Sequence, residues 1–177
     1  MASAACSFDP TKGAILWSAA VSGLVAGAPT IYDGDVYVAT ENGDVSAYRG
    51  EGCGTTSCSP LWTAMLASGS SATPTIANGV LYIGTAGGSF YALSASTGTP
   101  LWQSATNEDV FGAATVANGL VYIGAEPNGG TGKITPGMVY AFAANGCGSA
   151  TCQPLWSSNA LNGTVQSAPV VVNGMVF

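Results

Sequence analysis

The chain has 177 residues, of which 3 are lysine or arginine and 9 are aspartate or glutamate, and its formal net charge is −6 at pH 7. So few basic residues exclude the positive stripe that neutralises phosphates, and therefore nucleic-acid binding. The chain contains no histidine, which excludes Ser-His-Asp and Cys-His catalysis.

The sequence was also inspected for transmembrane segments and for a signal peptide. Its longest apolar stretches are only as long as a strand, so no transmembrane segment is predicted. Residues 1–5 lack the basic and hydrophobic regions of a signal peptide. We therefore expect any export signal to lie outside this chain.

Taken in chain order, the first landmark is Trp17, and a fixed series of residues then recurs. Each tryptophan is followed by a proline or alanine, an Asp-Gly or Asn-Gly pair, and an aromatic residue. The tryptophans stand 40 to 54 residues apart, a period typical of propellers and solenoids. The four series are Trp17, Pro29, Asp33-Gly34 and Tyr37; Trp62, Pro74, Asn78-Gly79 and Tyr82; Trp102, Ala114, Asn118-Gly119 and Tyr122; and Trp156, Pro169, Asn173-Gly174 and Phe177.

Each repeat predicts four short antiparallel strands. The Asp-Gly and Asn-Gly pairs favour two-residue hairpins, because a type I′ turn needs positive φ at both central residues. A third strand is predicted around Ala47, Ala92 and Ala141, and the run that holds the tryptophan makes the fourth. No window has apolar residues at helical spacing over ten or more positions. The predicted fold class is all-β, a β-propeller of four-stranded antiparallel blades with tryptophans packed between blades.

The repeats predict one propeller region over residues 1–177. Complete blades are expected at 27–66, 72–105 and 112–158, with the end of a preceding blade at 1–20 and the start of another at 166–177. We expect a partial propeller, a fragment of a larger ring. The alternative is a closed four-bladed ring in which 166–172 pairs with 7–20. An open arc would expose apolar blade faces and strand edges, which predicts self-association.

Four of the five cysteines form two equivalent insertions, with the pairs Cys53/Cys58 and Cys147/Cys152. Each pair is consistent with a metal site or with a local disulfide. Zinc prefers four ligands, the pairs fall in different blades and histidine is missing, so disulfides are favoured and no metal site is predicted. Disulfides predict an extracytoplasmic location: periplasmic, secreted or on the cell surface. Cys6 is expected to be unpaired.

Two segments carry a family pattern. Residues 7–17 and 92–102 resemble the tryptophan-docking motif of pyrroloquinoline quinone (PQQ)-like repeats, Ala-x-Asp-x-x-x-Gly-x-x-x-Trp, with Ser7 replacing the alanine and Ser94 the aspartate. The resemblance implies a propeller of seven or eight blades, with the tryptophan on the outermost strand and the Pro-Thr-Ile strand lining the channel.

The resemblance also bears on cofactors. Quinoprotein dehydrogenases of this family hold PQQ against a disulfide between adjacent cysteines, with calcium bound by Glu and Asn beside a catalytic Asp. This chain has no adjacent cysteines, and none of its residues matches the other positions. No catalytic residue and no cofactor-binding residue is therefore assigned, and no cofactor is expected.

The predicted meander has one variable face. We call it the loop face; it comprises the loops between second and third strands, near 40–43, 85–88 and 126–137, and the connections between blades. Long loops on a rigid scaffold often carry function. The adjacent acids Glu108 and Asp109 are expected to form a solvated loop. The predicted partner-binding residues on this face are Glu41, Asp44, Glu108, Asp109, Glu126 and Lys133.

Two functions remain in view. The first is a non-catalytic, exported PQQ-like module that acts as a binding or scaffold domain, with an unknown protein or small ligand on the loop face. The resemblance links this function to the propeller lipoprotein of outer-membrane assembly and to sensor ectodomains of bacterial kinases. The alternative is a fragment of a PQQ-dependent alcohol or sugar dehydrogenase whose PQQ and calcium site lies outside this chain.

Overall fold

The structure is a computed structural model that describes residues 4–8, 11–106, 108–127 and 136–177. All regular elements in this part of the chain are β-strands, which form five separate antiparallel sheets. The described ranges therefore include no helix that could cross a membrane. The all-β fold class predicted from the repeats is confirmed.

The second and third sheets are four-stranded meanders whose strands pair in chain order. In both, an aromatic residue of the second strand lies opposite the repeat alanine of the third, so Tyr37 pairs with Ala47 and Tyr82 with Ala92. The second sheet contains β3 (Thr30–Tyr32), β4 (Asp35–Ala39), β5 (Asp44–Arg49) and β6 (Trp62–Met65). The third contains β7 (Thr75–Ala77), β8 (Val80–Gly84), β9 (Ser89–Ser94) and β10 (Pro100–Ala105).

The predicted hairpin turns are present in every repeat. Asp33, Asn78, Asn118 and Asn173 have φ values between 49° and 53°, and the glycine after each also has positive φ. An asparagine or aspartate followed by glycine tolerates this conformation best, which explains why the pair recurs. The turns fix the register of the first two strands of each sheet.

The fourth sheet has an additional short strand. Its strands are β11 (Glu108–Asp109), β12 (Thr115–Ala117), β13 (Leu120–Pro127), β14 (Met138–Ala143) and β15 (Trp156–Ser157). β13 is eight residues long, against five for β8, and its extension pairs with β11 so that Asp109 lies opposite Glu126. The expectation of a solvated loop at Glu108 and Asp109 is therefore wrong, since Asp109 is buried.

Two sheets at the ends of the arc have two strands each. The first sheet joins β1 (Ala4–Phe8) to β2 (Ile15–Ala20), and the fifth joins β16 (Val171–Val172) to β17 (Met175–Val176). No strand pairing links the fifth sheet to the first in the described ranges. The pairing of 166–172 with 7–20 that a closed four-bladed ring requires is absent there.

The core lies between neighbouring sheets and is centred on the tryptophans. The indole Nε1 of Trp17 donates to the Gly50 carbonyl oxygen of the second sheet at 3.0 Å, and that of Trp62 donates to the Ala95 oxygen of the third at 2.9 Å. Trp102 packs among aromatic rings of the third and fourth sheets, with its ring centroid 5.8 Å from that of Phe142. Each of these three tryptophans therefore links its own sheet to the next one along the chain, whereas Trp156, also predicted to pack between blades, is 48% exposed.

A glycine receives each of these three indoles. A Cβ atom on Gly52 would lie 2.8 Å from Trp17, one on Gly98 would lie 2.4 Å from Trp62, and one on Gly146 would lie 2.6 Å from Trp102. All three glycines also have positive φ. We call them cradle glycines, since both the close approach and the backbone conformation exclude larger side chains.

Both cysteine insertions contain a disulfide, Cys53–Cys58 and Cys147–Cys152. Each disulfide loop reaches back to the outermost strand of the preceding sheet. The amide of Ser18 donates to the Thr56 oxygen at 2.9 Å, and the amide of Cys58 donates to the Ser18 oxygen at 2.8 Å. The same parallel bridge joins Gln103 to Thr151. The loops therefore add backbone hydrogen bonds across two of the interfaces between sheets.

Candidate binding face

The loop face is held together by backbone hydrogen bonds between its loops and the connections between sheets. The amide of Glu41 donates to the Leu24 oxygen at 2.9 Å, that of Ala86 to the Gly69 oxygen at 2.9 Å, and that of Gly137 to the Gly163 oxygen at 2.7 Å. These bonds recur in each repeat because the meander brings the same two segments together. In the part of the face that the structure describes, these bonds fix the loops relative to the connections between sheets.

Three of the predicted acids lie on the two strands that pair at this face. Asp109 lies opposite Glu126 where β11 pairs with the extension of β13, and Glu108 precedes Asp109 on β11; we call the three residues the acidic cluster. Burial raises the pKa of the Asp109 carboxyl, and the charge of Glu126 raises it further. Burial also raises the pKa of Glu108. Asp109 and Glu126 therefore place two carboxylates close together, and Glu108 is a separate, poorly solvated carboxylate beside them on β11.

Two neutral side chains contact the cluster. The Tyr140 hydroxyl donates to Glu108 Oε2 at 3.2 Å, and Gln166 Nε2 donates to Glu126 Oε2 at 3.0 Å. Burial, followed by the charge of Glu108 and its hydrogen bond, raises the pKa of Tyr140 to about 12. Neither donor carries a charge, so both carboxylates keep their attraction for the hydrogen-bond donors of a cationic partner.

The other predicted acids lie elsewhere on the loop face. Asp44 accepts a hydrogen bond from the Ser22 hydroxyl, and Glu41 is exposed. Glu41 lines a cavity of about 180 Å³ together with Gly69, Ser70, Ser71, Ala86 and Phe111. Lys133, also predicted for the partner face, lies outside the described residues. The predicted residues therefore do not form one site: the acidic cluster lies on the fourth sheet, and Glu41 and Asp44 lie separately beside the second sheet.

Sequence reasoning missed Tyr140 and Gln166. Tyr140 sits in the third-strand run that the repeat pattern assigns to the core, and nothing in that pattern points it toward Glu108. Gln166 lies in the connection before the fifth sheet, 40 positions from Glu126. Both contacts depend on β13 being eight residues long, and no residue pattern in the sequence indicates that this strand is longer than its counterparts.

The residues present do not fit PQQ. The five cysteines are at positions 6, 53, 58, 147 and 152, so no disulfide between adjacent cysteines can form. The threonine hydroxyls of the innermost strands are also engaged, since Thr75 donates to the Ala114 oxygen at 2.9 Å, and Thr30 and Thr115 donate to the oxygens of Pro74 and Pro169. Among the described residues, no group of three histidine, cysteine or acidic side chains is arranged to hold a metal ion.

The chain was compared with known families and curated proteins. The family described as "Outer membrane protein assembly factor BamB" matches it over residues 2–53 and 54–145. No curated protein sequence is similar enough to count as a match.

Solved structures share the fold. BamB from Moraxella catarrhalis is similar with a TM-score of 0.68 and 22% identity over 91% of this chain and 45% of that one. Quinohemoprotein alcohol dehydrogenase from Comamonas testosteroni has a TM-score of 0.61 and 24% identity, covering 77% of this chain and 21% of that one. The computationally designed Ika4 protein has a TM-score of 0.66 and 12% identity, covering 88% and 84%. This chain thus spans less than half the length of the BamB structure that it matches.

Proposed function

The chain belongs to the PQQ-repeat family of the outer membrane protein assembly factor BamB, and from this premise we propose that it is a non-catalytic binding and scaffold module. Its binding surface is the loop face, and its partner is a protein. The observation that carries the proposal is the acidic cluster, in which an additional strand pairing that the plain repeat lacks places Asp109 opposite Glu126, with Glu108 next to Asp109 on β11.

The chemistry of the cluster defines the partner. Glu108 and Glu126 are half-buried, and each accepts a hydrogen bond from a donor that carries no charge. The chain as a whole carries a net charge of −6, which adds a long-range attraction for cations. An extended protein segment with arginine or lysine side chains matches this surface, because charge complementarity raises both association rate and specificity.

The compartment follows from the disulfides. The loops that contain Cys53–Cys58 and Cys147–Cys152 both dock on a neighbouring sheet, and such bonds persist in oxidising compartments. We propose that the chain works outside the cytoplasm. This location agrees with the name of the matching family, which concerns outer membrane protein assembly.

The experiment uses a defined probe. A fluorescently labelled extended peptide with alternating arginines, and a second peptide with glutamates in their place, are titrated with the 177-residue chain while anisotropy is measured. We expect the arginine peptide alone to bind, with affinity that falls as salt is added. Glu126→Gln should weaken binding up to about fivefold, the effect of one partly exposed charge.

The control removes the same charge from the opposite face. Glu51 lies there beside the first disulfide loop and is paired with Arg49 at 3.9 Å, with 79% of its side chain exposed. Glu51→Gln should leave the affinity unchanged. Equal losses for the two variants would mean that only net charge matters and would refute the loop-face site, as would equal binding of both peptides.

The alternative function is a fragment of a PQQ-dependent alcohol or sugar dehydrogenase, and the similarity to the Comamonas testosteroni enzyme supports it at the level of fold. We propose that this chain alone does not hold PQQ, because its residues do not fit that cofactor. Addition of PQQ and calcium should leave the tryptophan fluorescence unchanged. Saturable quenching at micromolar PQQ would instead favour the dehydrogenase function.

A further inference from the structure

The outermost strands β2, β6 and β10 differ in what lies along their outer edges. On β10, the Gln103 amide donates to the Ala150 carbonyl oxygen at 2.9 Å, and the Cys152 amide donates to the Gln103 oxygen at 2.8 Å. On β2, the first disulfide loop binds Ser18 in the same way. Each loop therefore adds a short parallel segment to the edge of the preceding sheet, at the residue that follows the tryptophan.

The corresponding residue of β6 is Thr63, which is exposed. Hydrogen-bonded and non-hydrogen-bonded pairs alternate along an antiparallel ladder. Leu66 lies three positions after Thr63, and its amide donates to the Gly43 oxygen across the ladder at 2.8 Å. Thr63 is therefore in a non-hydrogen-bonded pair, and its amide and carbonyl point away from β5. In the part of the chain that the structure describes, the turn of residues 94–99 makes no backbone hydrogen bond with them.

The two disulfide loops show which side chain fits against the indole at such an edge. Cys58 belongs to the same buried cluster as Trp17, and Cys152 to the same buried cluster as Trp102. In each loop this cysteine is also the residue whose amide donates to the strand. A segment bound at Thr63 would therefore place its donating residue on the half-buried Trp62, where a small apolar side chain fits.

The charge along the open edge differs from that along the two filled edges. Asp44 lies opposite Met65 on β5, whereas the corresponding positions in the first and third sheets are Ala4 and Ser89. Asp44 accepts a hydrogen bond from the neutral Ser22 hydroxyl, and no cationic side chain pairs with it in the described ranges.

The next residue of a bound segment would lie beside Met65, which is 71% exposed. Two strand spacings, about 10 Å, then separate that residue from Asp44. A long basic side chain can cover this distance, because both the bound residue and Asp44 face the same side of the sheet. The open edge is therefore complementary to a basic residue directly after the small apolar one.

We propose that the edge of β6 binds an extended segment of another protein. The segment pairs in parallel with β6 at Thr63, places a small apolar residue on Trp62, and places an arginine or lysine beside Met65. Open strand edges bind extended segments through backbone hydrogen bonds, and side chains then give specificity. This site lies on the second sheet, apart from the acidic cluster on the fourth, and it does not depend on the function proposed for that cluster.

The probe is a peptide with the sequence of residues 52–60 of this chain, carrying Cys53→Ala and Cys58→Ala so that no disulfide exchange can occur. A second peptide also carries Ser59→Arg, which puts a basic residue after the small apolar one. Each is titrated into the isotopically labelled 177-residue chain, and amide and indole N–H signals are followed by nuclear magnetic resonance. We expect saturable shifts centred on Thr63 and Trp62. Hydrogen exchange of the Thr63 amide should become about tenfold slower at saturation.

Two substitutions test the contacts that the chain supplies. Thr63→Pro removes the outward amide and should abolish binding, and proline is tolerated where the N–H of an edge strand points outward. Thr63→Ala is its control: it removes the hydroxyl 2.9 Å from the Ser46 Oγ and keeps the amide, so affinity should not change. The arginine peptide should bind about threefold tighter than the first at low salt, the effect of one exposed ion pair. Asp44→Asn should remove that advantage.

A change in the peptide keeps the test valid if Thr63→Pro does not fold. Methylation of the peptide nitrogen that corresponds to Cys58 removes the donor to the Thr63 oxygen and should abolish binding. Methylation at the position of Ser57 is the control, since that N–H points away from β6 in a parallel pair, and it should leave binding intact.

Four outcomes would overturn the proposal. They are equal losses for the two methylated peptides, the absence of saturable shifts, largest shifts at Ser18 or Gln103, and equal affinity of the two unmethylated peptides. Protection of the Thr63 amide that rises with protein concentration in the absence of peptide would also overturn it, because a second copy of the chain would then be the occupant.

Discussion

The interfaces between sheets are of two kinds, which differ in how the indole is covered. Trp17 and Trp102 dock on sheets that carry a disulfide loop, and both are nearly inaccessible, at 3% and 4% exposure. Trp62 docks on the third sheet, where residues 94–99 form a plain turn, and it is only half-buried. The disulfide loop therefore completes the burial of an indole that the plain turn leaves partly open.

The comparison separates what docking requires from what the loop adds. All three interfaces share a cradle glycine, Gly52, Gly98 or Gly146, with positive φ and no room for a side chain. Only the interfaces with a disulfide loop have the parallel bridges Ser18 to Ser57 and Gln103 to Thr151. The glycine is thus the constant element, and the loop is an optional reinforcement of the same joint.

The largest effect is expected at an indole covered by a loop. Trp102→Ala should lower the free energy of unfolding by about 3–5 kcal/mol, because it empties a buried aromatic cluster. Trp62→Ala should cost clearly less, since that indole is half-buried. Both are measured by urea denaturation of the same preparation.

Two controls accompany this prediction. Leu101→Ala changes a neighbour of Trp102 that is 48% exposed, and Glu126→Ala changes a side chain of the loop face. Both should cost much less than Trp102→Ala. Equal losses for Trp62 and Trp102 would show that the disulfide loop does not contribute to burial, and the distinction between the two kinds of interface would fail.

The next-largest effect is expected from removing the disulfide of one loop. Replacing Cys147 and Cys152 together by serine should cost about 2 kcal/mol, the chain-entropy estimate for closing a short loop. Because the loop also covers Trp102, acrylamide should quench the fluorescence of that tryptophan more strongly in the double variant. Replacing Ser94 and Thr99 in the plain turn by alanine is the matched change at the other kind of interface and should have little effect.

Counting free thiols tests whether the disulfides behind this prediction are formed. Protein from an oxidising compartment, denatured without reductant, should have one free thiol, that of Cys6. Five free thiols would remove the basis for the extracytoplasmic location. Zinc bound in stoichiometric amount would contradict the disulfides that the structure contains.

Particular residues show how much of the structure could be predicted from the sequence. The Asp-Gly and Asn-Gly turns and the tryptophan period are local signals repeated four times, so they predicted the strands and their order, and the two equivalent cysteine pairs predicted the disulfide loops. The burial of Asp109 was not predictable, because it depends on β13 extending to Pro127 and pairing with a segment that otherwise looks like an acidic loop. The contact of Tyr140 with Glu108 spans 32 positions and has no counterpart in the other repeats.

The loop face differs from the interfaces in being sensitive to pH. The Asp109 pKa is raised, so the folded state holds its proton to higher pH than the unfolded chain does, and stability falls as pH rises through that range. Asp109→Asn should therefore flatten the dependence of unfolding free energy on pH in the acid range. Asp33→Asn is the control, because three other turns have asparagine at that position; an equal change there would refute the assignment.

The smallest effect is expected from Tyr140. Removing its hydroxyl in Tyr140→Phe should cost about 1 kcal/mol near neutral pH, the value of one hydrogen bond to a charged group that keeps some access to water. Its pKa of about 12 exceeds the ordinary value of 10.0, so the stability that the phenol contributes is present below pH 10 and is lost as pH rises from 10 to 12. The wild-type chain should therefore lose stability faster than Tyr140→Phe over this range. Tyr91→Phe is the matched variant, since the Tyr91 hydroxyl accepts a hydrogen bond from the Ala67 amide and has none with a carboxylate in the part of the chain that the structure describes. If Tyr91→Phe flattened the alkaline profile as much as Tyr140→Phe does, the contact with Glu108 would not be the cause.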